Sequence, residues 1–305
     1  METDFMGRRE DMGGMSDGLS QTALPAYHTT EKILSNPRLA IARRAYVHEI
    51  LKIYEHDPLL NRLLNDAGRG VVSLTLLSLH AAFDENVRAT WPTMRQLQQT
   101  VALYGVSSAR RVNDIVSRLI RAGFVTARAA PSDKRARILE PTAKLIAHDL
   151  DWLRAHYIPL DLLFPRPGYE LPVGRDPAYR KAHRAIGSQM ARHGAKIMDM
   201  SSEVMLFMSR DAGIMILFKL MERAFEETGA GASQLALSDI GDRFGVTRTH
   251  VRKVLKDAED AGLVEVRGRQ FSPTRALSAG FDRFFAEAAS GHDLMHRLAL
   301  QLIGR

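Results

Sequence analysis

The chain has no cysteine in its 305 residues. That excludes disulfides, thiolate metal sites and cysteine nucleophiles, and it fits a reducing compartment. It also lacks any apolar run near the roughly 20 residues needed to span a bilayer. The most apolar stretch, residues 213–219, is cut short by Lys219. Residues 1–30 carry scattered charges and glycines but no apolar segment of the secretory kind, so a disordered tail is expected there. Glycine-rich phosphate loops, Gly-x-Ser-x-Gly elbows and His-Glu-x-x-His pairs are missing too, so neither an enzyme nor a cofactor is expected.

Proline is absent from 178 to 272, which leaves room for long helices, and it clusters at Pro159, Pro165, Pro167, Pro172 and Pro177. With Gly168 and Gly174, that cluster reads as a linker over residues 158–177. The expected layout is a tail at 1–30, helices plus a first domain at 31–157, the linker, and long connecting helices plus a second domain at 178–305. Apolar residues recur at helical spacing over 41–64, with an interruption at Asp57 and Pro58, and again over 71–83. Met190, Met198, Met200, Met205, Met208, Met215 and Met221 are expected to pack between helices. Asp211 beside Arg210 reads as a helix boundary. His292 and His296 stand at i, i+4, a metal-compatible spacing; with no third ligand nearby and no cysteine, a solvated helix face is expected.

The most informative feature is an internal repeat. Residues 106–125 align without gaps on residues 245–264. Ser108 falls on Thr247, Val112 on Val251, Ile115 on Val254, Val116 on Leu255, and Gly123 on Gly262. Each copy is followed by a short β-hairpin, over 125–128 with 137–140 and over 264–267 with 270–272. Each hairpin is followed by Pro-Thr, at Pro141-Thr142 and Pro273-Thr274, where threonine is placed to cap another helix.

The physics of the first copy is specific. A helix from about Thr93 to Tyr104 turns at Gly105. Ser107 or Ser108 caps a second helix whose Val112, Ile115, Val116 and Leu119 fall at i, i+3, i+4, i+7, one buried stripe. Gly123 ends it in the left-handed conformation, and Phe124 tucks back. Helix, turn, helix and hairpin together make a winged helix-turn-helix. The expected fold class is therefore mainly α with small β-hairpin wings: two winged helix-turn-helix domains joined by long helices.

Opposite the buried stripe, the first copy offers Arg110, Asp114, Ser117 and Arg121, flanked by Arg111, Asn113 and Arg118. The second offers Thr249, Arg252, Lys253 and Lys256, flanked by His250. Such side chains reach base edges or phosphates when a helix enters a major groove. The chain's formal net charge is +7. Nine basic and three acidic residues between Thr93 and Glu140 give +6, and eight against six between Ser238 and Arg275 give +2. The remainder is thus slightly acidic, and the positive excess sits where a polyanion would lie. The expected DNA-binding residues are Ser107, Ser108, Arg110, Arg111, Asn113, Asp114, Ser117, Lys134, Arg135 and Arg137 in the first copy. In the second they are Thr247, Arg248, Thr249, His250, Arg252, Lys253, Arg267 and Arg269.

Residues 119–125 followed by 133–142 resemble the recognition-helix end and wing of MarR-type transcriptional regulators, a likeness extending over about residues 70–155. The resemblance implies that Asp133 orients Arg135 toward the minor groove. The second copy, about 213–285, has the look of a generic winged helix without the Asp-x-Arg pair. The expected function is sequence-specific, double-stranded DNA binding in transcription regulation, in the bacterial cytoplasm and with no membrane partner. The chain would act either as a homodimer or as an intramolecular pseudo-dimer. The rival expectations are a tandem winged-helix replication initiator and a winged-helix architectural or protein-interaction module.

Overall fold

The structure, a computed structural model, describes residues 24–55, 61, 63–64, 67–130, 132–166, 168–189, 202–226, 236–268 and 270–305. It is mainly helical, with two small antiparallel hairpins. In chain order the elements are α1 (Thr30–Leu34), α2 (Leu39–Tyr54), α3 (Ala67–Ala81), α4 (Met94–Ala102), α5 (Ala109–Arg121), β1 (Val125–Ala129), β2 (Arg137–Pro141) and α6 (Ala143–Leu163). There follow α7 (Glu170–Val173), α8 (Pro177–Gln189), α9 (Ser202–Met208), α10 (Gly213–Glu226), α11 (Leu237–Phe244), α12 (Arg248–Asp260), β3 (Val264–Arg267), β4 (Gln270–Pro273) and α13 (Arg275–Leu302). Among the described residues, no helix is long and apolar enough to cross a membrane.

The repeat seen in the sequence recurs in the backbone. Val125 pairs with Pro141 and Ala129 with Arg137 in the first hairpin; Val264 pairs with Pro273 and Arg267 with Gln270 in the second. Gly123 and Gly262 both end their helices at φ near +70° (75° and 71°), the left-handed region that costs other residues about 1 kcal/mol or more. The stripe Val112, Ile115, Val116 and Leu119 is buried, and so is Val251, Val254, Leu255 and Ala258. Each fully buried valine or leucine among them contributes about 1.5–3 kcal/mol. The threonines after the hairpins fold back alike. Thr142 Oγ1 donates toward the carbonyls of Gly123 (2.8 Å) and Phe124 (3.1 Å), and Thr274 Oγ1 toward those of Gly262 (3.0 Å) and Leu263 (3.1 Å). Only Thr274 also caps its helix, accepting from the Leu277 amide; Thr142 makes no side-chain cap bond, contrary to expectation.

Helices outside the repeats cross over between them. α2 precedes the first copy, yet it packs both on α6, which follows that copy, and on α10, which leads into the second. α8 precedes the second copy and packs both on α13, which follows it, and on α3, which leads into the first. Tyr46 meets Phe218 edge-on at 5.4 Å between centroids, and Arg44 donates to the Phe225 carbonyl at 2.7 Å. Glu55, just past α2, takes Lys219 at 3.0 Å and Arg243 at 3.2 Å. Burial alone would push the Glu55 carboxyl up, but these two cations hold it below its ordinary value.

Three expectations fail here. The stretch 158–177 is not a loose linker. Pro159 sits inside α6, Pro172 is buried, and Tyr169 is fully buried with its hydroxyl donating to Asp293 at 2.8 Å. In the described part of the proline-free region after residue 201 the helices are short, α9 to α12 spanning 7 to 14 residues each. Between α9 and α10 the chain breaks at Arg210, Asp211 and Ala212, with Ala212 at φ 51°. A Cβ on Gly213 would collide with the Phe207 carbonyl, so glycine is required there. This does match Asp211 as a helix boundary. Of the expected tail, residues 1–23 lie outside the described residues. The rest is anchored: His28 stacks on Phe164 at 3.6 Å and Thr29 caps α1. Met215 and Met221 are buried and Met205 and Met208 half-buried, as packing residues; Met190, Met198 and Met200 lie outside the described residues.

Candidate nucleic-acid interface

The surface opposite each buried stripe is held rigidly from below. In the first copy Thr93 caps α4 by accepting from the Gln96 amide, and Ser108 caps α5 by accepting from Arg111, both at 3.3 Å. Ser107 is therefore not the cap. Its hydroxyl is shut inside the turn with no partner among the described residues. Arg110, Arg111, Asn113, Asp114, Ser117, Arg118 and Arg121 all lie exposed on α5. Asn113 is committed, however: its Oδ1 accepts from Gln98 Nε2 at 3.0 Å, and the same amide donates to the Ala109 carbonyl at 3.2 Å. Gln98 thus clamps α4 to the start of α5.

Among the described residues, Arg110, Arg118 and Arg121 have no ion-pair partner. The exposed acid beside them, Asp114, has none either. Three guanidinium groups against the one carboxylate of Asp114 leave this helix face with a net positive charge and a local positive potential. A bidentate fork toward guanine is the commonest specific use of such a group.

The first hairpin rests on a small separate core of Trp91, Ala130 and Ile138. Leu139 donates its amide to the Pro92 carbonyl at 2.9 Å, tying β2 to the chain ahead of α4. Arg128 pairs with Glu140 at 2.7 Å. Arg137 is spent on the hairpin itself, donating to the Ala127 carbonyl at 2.6 Å. Lys134 and Arg135 stand exposed at the tip without ion-pair partners among the described residues. Asp133 does not grip the Arg135 guanidinium, as the family resemblance implied. One carboxylate oxygen accepts from the Arg135 backbone amide at 3.0 Å, and the other pairs with Arg88 at 2.9 Å. Arg88 also lies over the Trp91 ring at 5.6 Å. Nothing in the sequence flagged Arg88, which opens a single 3-10 turn (Arg88–Thr90) ahead of α4.

The second copy repeats the plan with less free charge. Thr247 caps α12 by accepting from the His250 amide at 3.1 Å. Arg248, Thr249, Arg252 and Lys253 are exposed, and the three cations have no ion-pair partner among the described residues. His250 is half-buried and donates from Nε2 to the Asp211 carbonyl at 2.8 Å, so its ring turns toward protein. Lys256 is held by Glu259 and Asp260, both at 2.9 Å, and their hydrogen bonds raise its pKa. Arg267 pairs with Glu265 at 3.1 Å on the exposed hairpin, and Arg269 lies outside the described residues.

His292 and His296 are not on a solvated face. Both pack on α13 with Trp152, His156, Tyr157, His183 and Tyr179, and His296 is 2% exposed. Among the described residues no group of three or more His, Cys, Asp or Glu side chains is arranged to hold a metal ion. Set against known proteins, the chain matches no family model, no curated protein and no solved structure.

Proposed function

We propose that the chain is a sequence-specific, double-stranded DNA-binding transcriptional regulator built from two winged helix-turn-helix units. In this reading α5 and α12 enter major grooves, and the hairpins lie on the backbone and minor groove. One observation carries it. Each helix seals an apolar stripe against the protein and turns outward cations that no protein acid neutralises among the described residues: Arg110, Arg118 and Arg121 on one, Arg248, Arg252 and Lys253 on the other. Phosphate contacts by such groups release counterions and give steeply salt-dependent affinity.

The crossing of α2 onto α10 and of α8 onto α3 supports an intramolecular pair in place of a homodimer. The outward residues differ between α5 and α12, so the two half-sites differ as well. Co-precipitation of chromosomal DNA with the full chain tests this. The expected result is enrichment at promoters of two unlike half-sites, about one helical turn or a multiple of it apart. A perfect palindrome of one half-site points to a homodimer reading DNA with one copy. Tandem repeated sites at an origin point to a replication initiator. No enrichment over bulk DNA removes the reading altogether.

A further inference from the structure

Four histidines meet where α6, α8 and α13 converge. His156 and His292 rings lie 4.6 Å apart, and His183 stacks on His292 at 5.9 Å. His296 joins through Tyr179, whose hydroxyl is 2.9 Å from its Nδ1. His183 is 2% exposed, and among the described residues neither of its ring nitrogens has a hydrogen-bond partner; Nδ1 of His292 is likewise buried and unpartnered among them. His156 has its Nδ1 engaged with the Trp152 carbonyl at 2.8 Å, as His296 has its Nδ1 engaged with Tyr179. A neutral imidazole left unpaired costs on the order of 1–3 kcal/mol, and a charged one in that place costs far more.

The surroundings offer little to receive an added positive charge. From α2 comes Tyr46, and from α6 come Tyr157 and Asp149. Asp149 is already shared by Arg180 (3.1 Å) and Arg184 (2.6 Å) of α8. From α13 comes Asp293, taken by Arg297, by Tyr169 and by the His28 amide. Glu170 on α7 bears only on His296. The two ion-paired acids, Asp149 and Asp293, are thus outnumbered by the three arginines that hold them, Arg180, Arg184 and Arg297, which leaves no free carboxylate among them. Burial first, and then Arg184 and the neighbouring imidazoles, push His183 and His292 well below the ordinary histidine value.

The seam is connected to both candidate DNA-facing helices. α6 starts at Thr142, whose hydroxyl is bonded to the cap of α5, and α13 starts at Thr274, bonded in the same way to the cap of α12. Each of those two helices is thus tied at its C-terminal turn to one wall of the seam.

We propose that this histidine cluster is an acid-sensitive latch: proton uptake by His183 and His292 opens the seam between α6, α8 and α13 and lowers the affinity of the chain for duplex DNA. The coupling to DNA rests on the proposed function above; the opening itself does not. Below about pH 6.5 each of these histidines raises the open fraction up to roughly tenfold per pH unit. The direction is diagnostic, because acid makes any surface more cationic and would otherwise tighten DNA binding.

The test uses the full chain and duplex fragments recovered by the co-precipitation described above. Affinity by fluorescence anisotropy and peptide-level hydrogen exchange, corrected for intrinsic rates, are measured at pH 7.5 and 5.5. The expected result is at least a roughly tenfold weaker affinity at pH 5.5, with exchange accelerated in α6, α8 and α13 before α5. The double variant His183→Phe/His292→Phe should keep its pH 7.5 affinity at pH 5.5. The single variants His183→Gln and His292→Gln, which hydrogen-bond without titrating, should each flatten the response and serve where the double variant does not fold. Unchanged or tighter wild-type binding at pH 5.5, or an acid loss that persists in the variants, overturns the latch. If no duplex binds even at pH 7.5, the DNA reading fails, and the exchange data alone decide whether the seam opens.

Discussion

Asp133 directs its side chain to Arg88, 2.9 Å away, and meets Arg135 only through the backbone amide. The hairpin tip is thus pinned to the stretch ahead of α4, while the Arg135 guanidinium has no ion-pair partner among the described residues. The acid fixes where Arg135 begins, not where it points.

On the proposed DNA-binding reading, replacing Arg135 with alanine is expected to weaken binding to all duplexes alike, because in that reading it contacts phosphate or the minor groove. Arg110→Ala should instead relax specificity, removing about 1–3 kcal/mol of discrimination at one base pair. Arg88→Ala loses a largely exposed ion pair, with 75% of its side chain open, so its effect should stay below about 1 kcal/mol. Titrations against the selected site and random DNA separate the three. Equal losses on both duplexes for Arg110→Ala and Arg135→Ala would contradict the division of labour.

Thr274 caps α13 and grips the Gly262 turn, while Thr142 only grips. Thr274→Val is expected to destabilise by about 1–2 kcal/mol. Thr142→Val should lose less, about 0.5–1.5 kcal/mol. Urea unfolding of the two variants gives the order directly.

Asp149, fully buried between Arg180 and Arg184, should be among the most sensitive positions. Asp149→Asn leaves two guanidinium groups facing each other without their anion, an expected loss of about 3–5 kcal/mol. A urea midpoint within error of wild type would show that water already screens the pair.

Acid should destabilise the fold steeply. His156 is pushed down to about 3 and His296 to about 4, burial being the largest cause in each, and His183 and His292 lie well below the ordinary value. The folded state holds these rings neutral, while the unfolded chain protonates them near pH 6.5. Their contribution is therefore complete above that pH and drains as pH falls toward the folded-state values. Each histidine removes about 1.4 kcal/mol per pH unit. Melting temperatures by circular dichroism between pH 7 and 5 should fall sharply; a flat profile would mean that the rings are hydrated in solution.

Local order was legible in the sequence; facing was not. Both hairpins lie where the glycine caps and the Pro-Thr pairs put them, within a residue at each end, because φ > 0 and a missing amide are properties of single residues. The buried stripes of α5 and α12 followed from spacing alone. What escaped is whatever depends on a distant segment. Asn113 reads as a base-contacting residue until Gln98 arrives from α4. His250 looks outward until the break at Asp211 brings a carbonyl to it. The spacing of His292 and His296 shows that they share a helix face, but α8 decides that the face is covered. Prolines over 158–177 mark where helices stop and say nothing about exposure, so Tyr169 could anchor a core inside an apparent linker. Arg88 left no trace because its role exists only beside Trp91 and Asp133.

The lean of α2 on α10, answered by that of α8 on α3, has a consequence for dose. Two halves braced by each other's helices and joined by one polypeptide never separate on dilution. On the proposed reading of a single-chain pair on DNA, site occupancy would rise with the first power of concentration, without the threshold that an assembling pair imposes. Severing the chain near Gly174 would strand apolar helix surface on both fragments, so neither is expected to persist alone.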